Sequence, residues 1–313
     1  MLRRNHSSNP GSYGYAVRIP AMKKIVFLFM LLPVCALAEP QFTHMNVLGR
    51  DVAVWTPDTP PPASGYPLIL FSHGFTGCNT QSVFIMQALA RAGYVVIAPN
   101  HRDATCGTAR ERGNAATRMA ILHPQEPFRD PDKWSDITYR DRAEDIETVL
   151  NEALRPGSFV KVPIDQQRIG IAGHSLGGYT ALGLAGGWAA WKDKRIKAVL
   201  ALSPHCSPFV VHGNLDHLDV PVMYQGGSRD IGETKIVIEK NGAYDLTSKP
   251  KYFVDFKGAG HFAWTNFRSE YRDPINAYSV AFFNLYLKQD GASLASLMKS
   301  PAKLVDDARA DTK

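Results

Sequence analysis

Six short apolar runs constrain this chain more than any other feature: "PLILFSHG" from Pro67, "YVVIAPN" from Tyr94, "RIGIAG" from Arg168, "IKAVLAL" from Ile196, "VPVMYQG" from Val220 and "KYFVDFKG" from Lys251. Runs this short and this continuously apolar are the mark of strands covered on both faces. Segments of helical spacing lie between them, at residues 82–94, 139–154, 176–187 and 274–288, the last with proline in its first turn. Buried strands alternating with helices predict an α/β fold, a mostly parallel sheet with helices on both faces. Loose alternation from Phe42 to Thr56 predicts one or two antiparallel strands at the edge. Residues 103–135 lack periodicity and carry several prolines, so they read as an insertion over a site or a loop. Residues 290–313 are polar and read as a loosely held tail.

The first 38 residues belong to a different class of segment. "MKKIVFLFMLLPVCALAEP", residues 22–40, has a basic start, an apolar run, and small residues at Ala36 and Ala38. That is the pattern of a secretory signal peptide at about 22–38, cleaved after Ala38, with Met22 a natural start of synthesis. The apolar run is shorter than the ~20 residues a spanning helix needs. The expected organisation is residues 1–38 as extension plus signal, 39–289 as one domain, and 290–313 as the tail. A secreted or periplasmic chain allows disulfides. Cys78, Cys106 and Cys206 then remain, and Cys78 and Cys106 follow adjacent strands above one sheet edge, so these two are expected to pair.

Charge excludes one class of partner. The formal net charge is +6, but Arg3, Arg4, Arg18, Lys23 and Lys24 all precede residue 39 with no acid among them, which leaves +1 for the remainder. Neither nucleic acid nor an anionic membrane is implied as a partner. No Cys/His spacing fits a zinc site and no glycine-rich phosphate loop occurs, so neither metal nor cofactor is expected. The charged run "RDRAEDIE" within 139–154 reads as a solvated helix face with i,i+4 pairs.

The chemistry concentrates at "GHSLGG", residues 173–178, between a predicted strand and a predicted helix. A serine hydroxyl is a poor nucleophile unless a base takes its proton and donors stabilise the oxyanion. Glycines on both sides permit the sharp turn that lifts Ser175 above a sheet. The competing reading is that Gly173, Gly177 and Gly178 only serve close helix packing. Of ten histidines, His73 and His101 end earlier strands, while His205, His212 and His217 fall after the fourth; His261, in the loop after the last predicted strand, is the base. Asp230 follows the preceding strand and would orient that imidazole; Asp216 and Asp219 precede the strand, and Asp255 lies within the next one. The backbone N–H groups of Leu176 and Phe75 are the expected oxyanion donors. Trp264 and His174 are assigned to the substrate pocket, whereas Trp188 and Trp191 are expected on the surface.

The motifs "FSHGFTG", "GYVVIAPNHRD", "GHSLGG", "GGSRD" and "GAGHF", in this order, resemble the secreted α/β-hydrolase group that includes platelet-activating-factor acetylhydrolase-like and dienelactone-hydrolase-like esterases. They are also similar to cutinase-type polyester hydrolases. The resemblance implies an α/β-hydrolase fold and a carboxylic ester hydrolase with a triad in the order Ser175, Asp230, His261, without metal or cofactor. Dienelactone hydrolases proper carry cysteine where Ser175 stands, and cutinase-type enzymes carry methionine where Leu176 stands. The expected activity is hydrolysis of short or medium acyl esters through an acyl-enzyme. The alternatives are a polyester or lipid-ester hydrolase, an acyltransferase or peptidase on the same triad, and a binding module that kept the fold.

Overall fold

The computed structural model describes residues 41–105 and 128–312. The signal segment at 22–38, the remainder of 1–38, Cys106 and most of the 103–135 insertion lie outside these described residues. The compact unit that contains the described residues runs from Glu39 to Lys313.

Strands β1 (Phe42–Val47) and β2 (Arg50–Trp55) form an antiparallel hairpin across Leu48 and Gly49. Then β3 (Tyr66–Ser72), helix α1 (Val83–Arg91), β4 (Val95–Pro99), α2 (Arg140–Leu154), β5 (Ile164–His174), α3 (Leu176–Leu182), β6 (Ile196–Leu202), α4 (Ser207–His212), β7 (Val222–Gly227), α5 (Glu233–Ile238), α6 (Ala243–Leu246) and β8 (Lys251–Phe256) follow. The chain closes with α7 (Arg272–Lys288), α8 (Ala292–Lys299) and β9 (Val305–Asp311). The sheet order is β1-β2-β4-β3-β5-β6-β7-β8-β9, parallel from β4 to β8 and antiparallel at both edges.

The continuous apolar runs are explained by the two layers they serve. In β3, Leu68 and Leu70 join the core formed with Ile146, Val149 and Leu150 of α2. Their neighbours Ile69 and Phe71 point the other way, against Ile85 and Leu89 of α1 and Phe282 and Phe283 of α7. Successive residues of a strand face opposite sides, so a sheet covered on both sides needs apolar residues at every position. Each fully buried Leu, Ile or Phe contributes about 1.5–3 kcal/mol relative to exposure.

Three expectations fail. The described part of the 290–313 segment, residues 290–312, is not a loose tail: Leu294 of α8 is buried, and β9 pairs antiparallel with β8, Val254 opposite Ala308. What holds β9 is a main-chain ladder, which a polar side-chain pattern does not report. The charged run on α2 is not wholly solvated either, because Arg142 is 0% exposed and Asp145 is buried. Arg142 shares the apolar face of Ile146, Val149 and Ala153, at helical spacing. Finally, Trp188 and Trp191 are buried rather than superficial. The Trp188 indole donates to Tyr179 Oη at 2.8 Å and the Trp191 indole to the Asp136 carbonyl at 2.7 Å, the partners that let an indole N–H be buried.

Candidate active site

Ser175 is the single residue between the end of β5 and the start of α3, and it takes φ 55° and ψ −118°. A non-glycine residue there stores roughly 1–3 kcal/mol of strain. The turn closes only because two neighbours lack side chains. A Cβ on Gly173 would lie 2.0 Å from the Gly177 carbonyl oxygen, and one on Gly177 would lie 1.9 Å from that of Ser72. The glycines therefore serve close packing, and that packing is what forces Ser175 into its turn. Both backbone groups of Ser175 are tied to the end of β6: its N–H donates to the Leu202 carbonyl at 3.0 Å, and its carbonyl accepts from the His205 N–H at 3.0 Å.

His261 opens a short turn (His261–Trp264) after β8, and its Nε2 lies 2.9 Å from Ser175 Oγ. Asp230, just past β7, sets Oδ2 3.3 Å from His261 Nδ1. With Nδ1 protonated, Nε2 is free to accept the Ser175 proton, the arrangement a general base requires. Burial disfavours charge on either group, but their mutual attraction outweighs it. It holds Asp230 below the ordinary carboxylate range and, with Glu233, holds His261 above the ordinary imidazole value. Ser203, which the sequence reading passed over, is hydrogen-bonded to both: its hydroxyl contacts Asp230 Oδ2 and lies 2.8 Å from His261 Nδ1.

On the other side of Ser175 stands the loop after β3. Among the described residues, neither the Phe75 N–H nor the Leu176 N–H donates a hydrogen bond, while Gly74 N–H donates to Gln81 Oε1 at 3.0 Å and Thr76 N–H to Asp103 Oδ2 at 2.8 Å. The loop is gripped from beneath by charge. Arg142 donates to Asp103 Oδ1 at 2.5 Å and to the His73 carbonyl. Burial would raise the Asp103 pKa, but Arg142, His73, His101 and the Thr76 N–H bring it down to about 2. His73 and His101 are kept neutral by burial and by Arg142, His73 with its pKa lowered to about 4. His101 Nδ1 in turn donates to Asp145 Oδ2 at 3.1 Å, whose other oxygen accepts from Arg50 at 2.6 Å.

A cleft of about 810 Å³ opens over Ser175 and His261, with Phe75, Phe128, Glu233 and Phe262 among its walls. Of the two pocket assignments, that of Trp264 needs revision. Trp264 is 0% exposed and does not line the cleft; its indole donates to Gln225 Oε1 at 3.0 Å. His174 borders the cleft, but both ring nitrogens are engaged, Nε2 with the His261 carbonyl at 2.8 Å and Nδ1 with Gln81 Nε2 at 3.1 Å. Burial and the neighbouring His261 lower its pKa to about 3, so it is a neutral support beneath His261. Sequence reasoning also missed Gln81, Glu233 and Phe128. Cleft residues of this kind sit on loops and helix starts with no periodic signature. Among the described residues, no group of three or more His, Cys, Asp or Glu side chains is arranged to hold a metal ion.

Several known proteins are similar to this chain. Cutinase 1 of Thermobifida cellulosilytica is 25% identical over 227 residues, 72% of this chain and 70% of its own. A cutinase of Thermobifida fusca (strain YX) is 25% identical over 227 residues, 72% of this chain and 61% of its own. A platelet-activating factor acetylhydrolase of Canis lupus familiaris is 30% identical over 166 residues, 46% of this chain and 36% of its own. The chain thus spans less than two thirds of the second and third relatives. The family model for the alpha/beta hydrolase fold matches residues 67–237, more than half of the chain and the stretch from β3 through Ser175 and Asp230, and the chain belongs to the α/β-hydrolase fold family.

Proposed function

We propose that this hydrolase is a carboxylic ester hydrolase working through a serine acyl-enzyme, with Ser175 as nucleophile, His261 as general base and acid, and Asp230 as the residue that orients His261. The observation that carries the reading is the 2.9 Å hydrogen bond from Ser175 Oγ to His261 Nε2, made by a serine held at positive φ. Ser175 Oγ attacks the ester carbonyl as its proton passes to Nε2. The tetrahedral oxyanion is held by the Phe75 and Leu176 N–H groups, each worth on the order of 3 kcal/mol in the transition state. Collapse sends the Nε2 proton to the leaving alkoxide, and water repeats the sequence on the acyl-enzyme.

Short and medium acyl esters suit a cleft of about 810 Å³. A second reading, hydrolysis of polymeric or aggregated esters, is favoured by exposed apolar residues at the cleft: Phe262, which lines it, is 60% exposed, and Ile231, between the lining residues Asp230 and Gly232, is 79% exposed. It also fits the names of the cutinase relatives. Export after cleavage at Ala38 is part of the proposal, and the mass of the exported protein should correspond to a chain beginning at Glu39.

Ser175→Ala should lower kcat on p-nitrophenyl acetate by about three orders of magnitude or more, with the fold unchanged by circular dichroism. Retention of most of the activity overturns the assignment. A profile over acyl length, repeated on an insoluble polyester, separates the two substrate readings, and added alcohol reveals any acyl transfer.

A further inference from the structure

The acid and the base of this site are not joined mainly by a direct contact. His261 Nδ1 is 3.3 Å from Asp230 Oδ2, at the long end of a hydrogen bond, but only 2.8 Å from Ser203 Oγ. The Ser203 hydroxyl meets the same carboxylate oxygen, Oδ2. One assignment of protons satisfies all three atoms: the Nδ1 proton points to Ser203 Oγ, and the Ser203 proton points to Asp230 Oδ2. The hydroxyl then accepts from the imidazole and donates to the carboxylate.

Two further observations separate this from an incidental contact. Ser203 takes φ 43°, the left-handed region, and is followed by Pro204, which disfavours helical backbone at the residue before it. That conformation is fixed by its own N–H, which donates to the Gln225 carbonyl of β7 at 2.7 Å. In addition, the segment carrying Ser203 is the one bonded to both backbone groups of Ser175, through Leu202 and His205. The hydroxyl is thereby held at a set position relative to the nucleophile and, through β7, relative to the strand that leads to Asp230. Ser203 is wholly buried, so water does not compete for its hydroxyl.

We propose that Ser203 is a fourth, positioning residue of the site, relaying the Asp230 carboxylate to His261 Nδ1 through its hydroxyl. The relay fixes the imidazole tautomer with Nε2 facing Ser175. It also passes part of the carboxylate's stabilisation to the imidazolium that forms during attack. The inference rests on the triad reading above, and its test includes a measurement that does not depend on turnover.

Ser203→Ala and Ser203→Gly both remove the hydroxyl, but only the glycine variant relaxes the left-handed backbone. Both should lower kcat about 10- to 100-fold, part of the roughly four orders of magnitude that loss of the orienting acid costs, while KM stays within about twofold. The acid limb of the kcat/KM profile should move down by about half a pH unit or more, because less of the carboxylate's stabilisation reaches the imidazolium. The same downward shift should appear in the NMR titration of the His261 ring, recorded on Ser175→Ala with and without the Ser203 change. An unmoved titration overturns the relay even if kcat falls, since the hydroxyl would then only fill space. So does a fall in kcat with alanine that glycine restores, which would locate the effect in the backbone. If wild-type protein hydrolyses no ester, the functional reading fails, and the ring titration still decides the relay.

Discussion

The two sides of Ser175 handle charge in opposite ways. Toward β7 and β8, Asp230 and His261 face the cleft, share one hydroxyl and are displaced from their ordinary pKa values by each other. Toward β3 and β4, Arg142, Asp103, His73 and His101 are locked beneath a loop, with Asp103 driven down to about 2 and His73 to about 4. In the proposed mechanism the first set exchanges a proton. The second is built never to do so, since a titrating group there would move the backbone that presents the Phe75 N–H. One sheet edge thus combines chemistry that requires titration with positioning that forbids it.

The contrast breaks most sharply at Arg142. Arg142→Met should leave Asp103 and the His73 carbonyl without their buried cation, at a cost of about 3–5 kcal/mol in urea unfolding. A loss under 1 kcal/mol would mean that the loop does not depend on the pair.

Asp255, on β8, sharpens the contrast from the other direction, being a buried carboxylate on which burial, Asp306 and Asp307 outweigh the attraction of Arg309. Among the described residues its Oδ1 has no hydrogen-bond partner, and burial together with Asp306 and Asp307 raises its pKa from 3.8 to about 6. The folded protein therefore holds this proton more tightly than the unfolded chain. Its contribution is intact below about pH 4 and is lost as pH rises from about 4 to 6. Asp255→Asn should match wild type near pH 4 and exceed it by roughly 1–3 kcal/mol at pH 7. Equal unfolding midpoints at both pH values would refute this account.

The smallest effect is expected where the two sides meet. Gln81 accepts from the Gly74 N–H and donates to His174 Nδ1, and Gln81→Met should cost about 1 kcal/mol in stability with a few-fold loss of kcat. No change in either quantity would mean that the two sides are independent.

What could be read from the residues divides along the same line. The parallel strands were legible because their central positions are almost continuously apolar, and the candidate residues Ser175, Asp230 and His261 were legible because each stands at or just past a strand end, in a fixed order along the chain. Arg142 was not, since the second arginine of "RDRAEDIE" looks as solvated as the first until the apolar stripe of Ile146, Val149 and Ala153 is laid beside it. Ser203 was hidden more completely. A serine before a proline marks a turn, and only the convergence of β6, β7 and β8 brings its hydroxyl to two ionisable groups. Trp264 misled because nearness to His261 in sequence suggested the cleft, whereas the turn after His261 sends the indole into the core.

The pairing of β9 with β8 also bears on how the protein is made. β8 leads directly to His261, yet its outer edge is covered by residues 305–311, about fifty positions further along the chain. During synthesis on the ribosome, β7, β8 and their loops emerge while that edge still has unpaired N–H and carbonyl groups and the apolar side chains of Tyr252, Val254 and Phe256 beside them. An open edge of this kind is a template for joining another chain. Nascent chains released before β9 emerges should therefore be the ones that aggregate, and it is β9, translated well after β8, that seals the edge of the strand leading to His261.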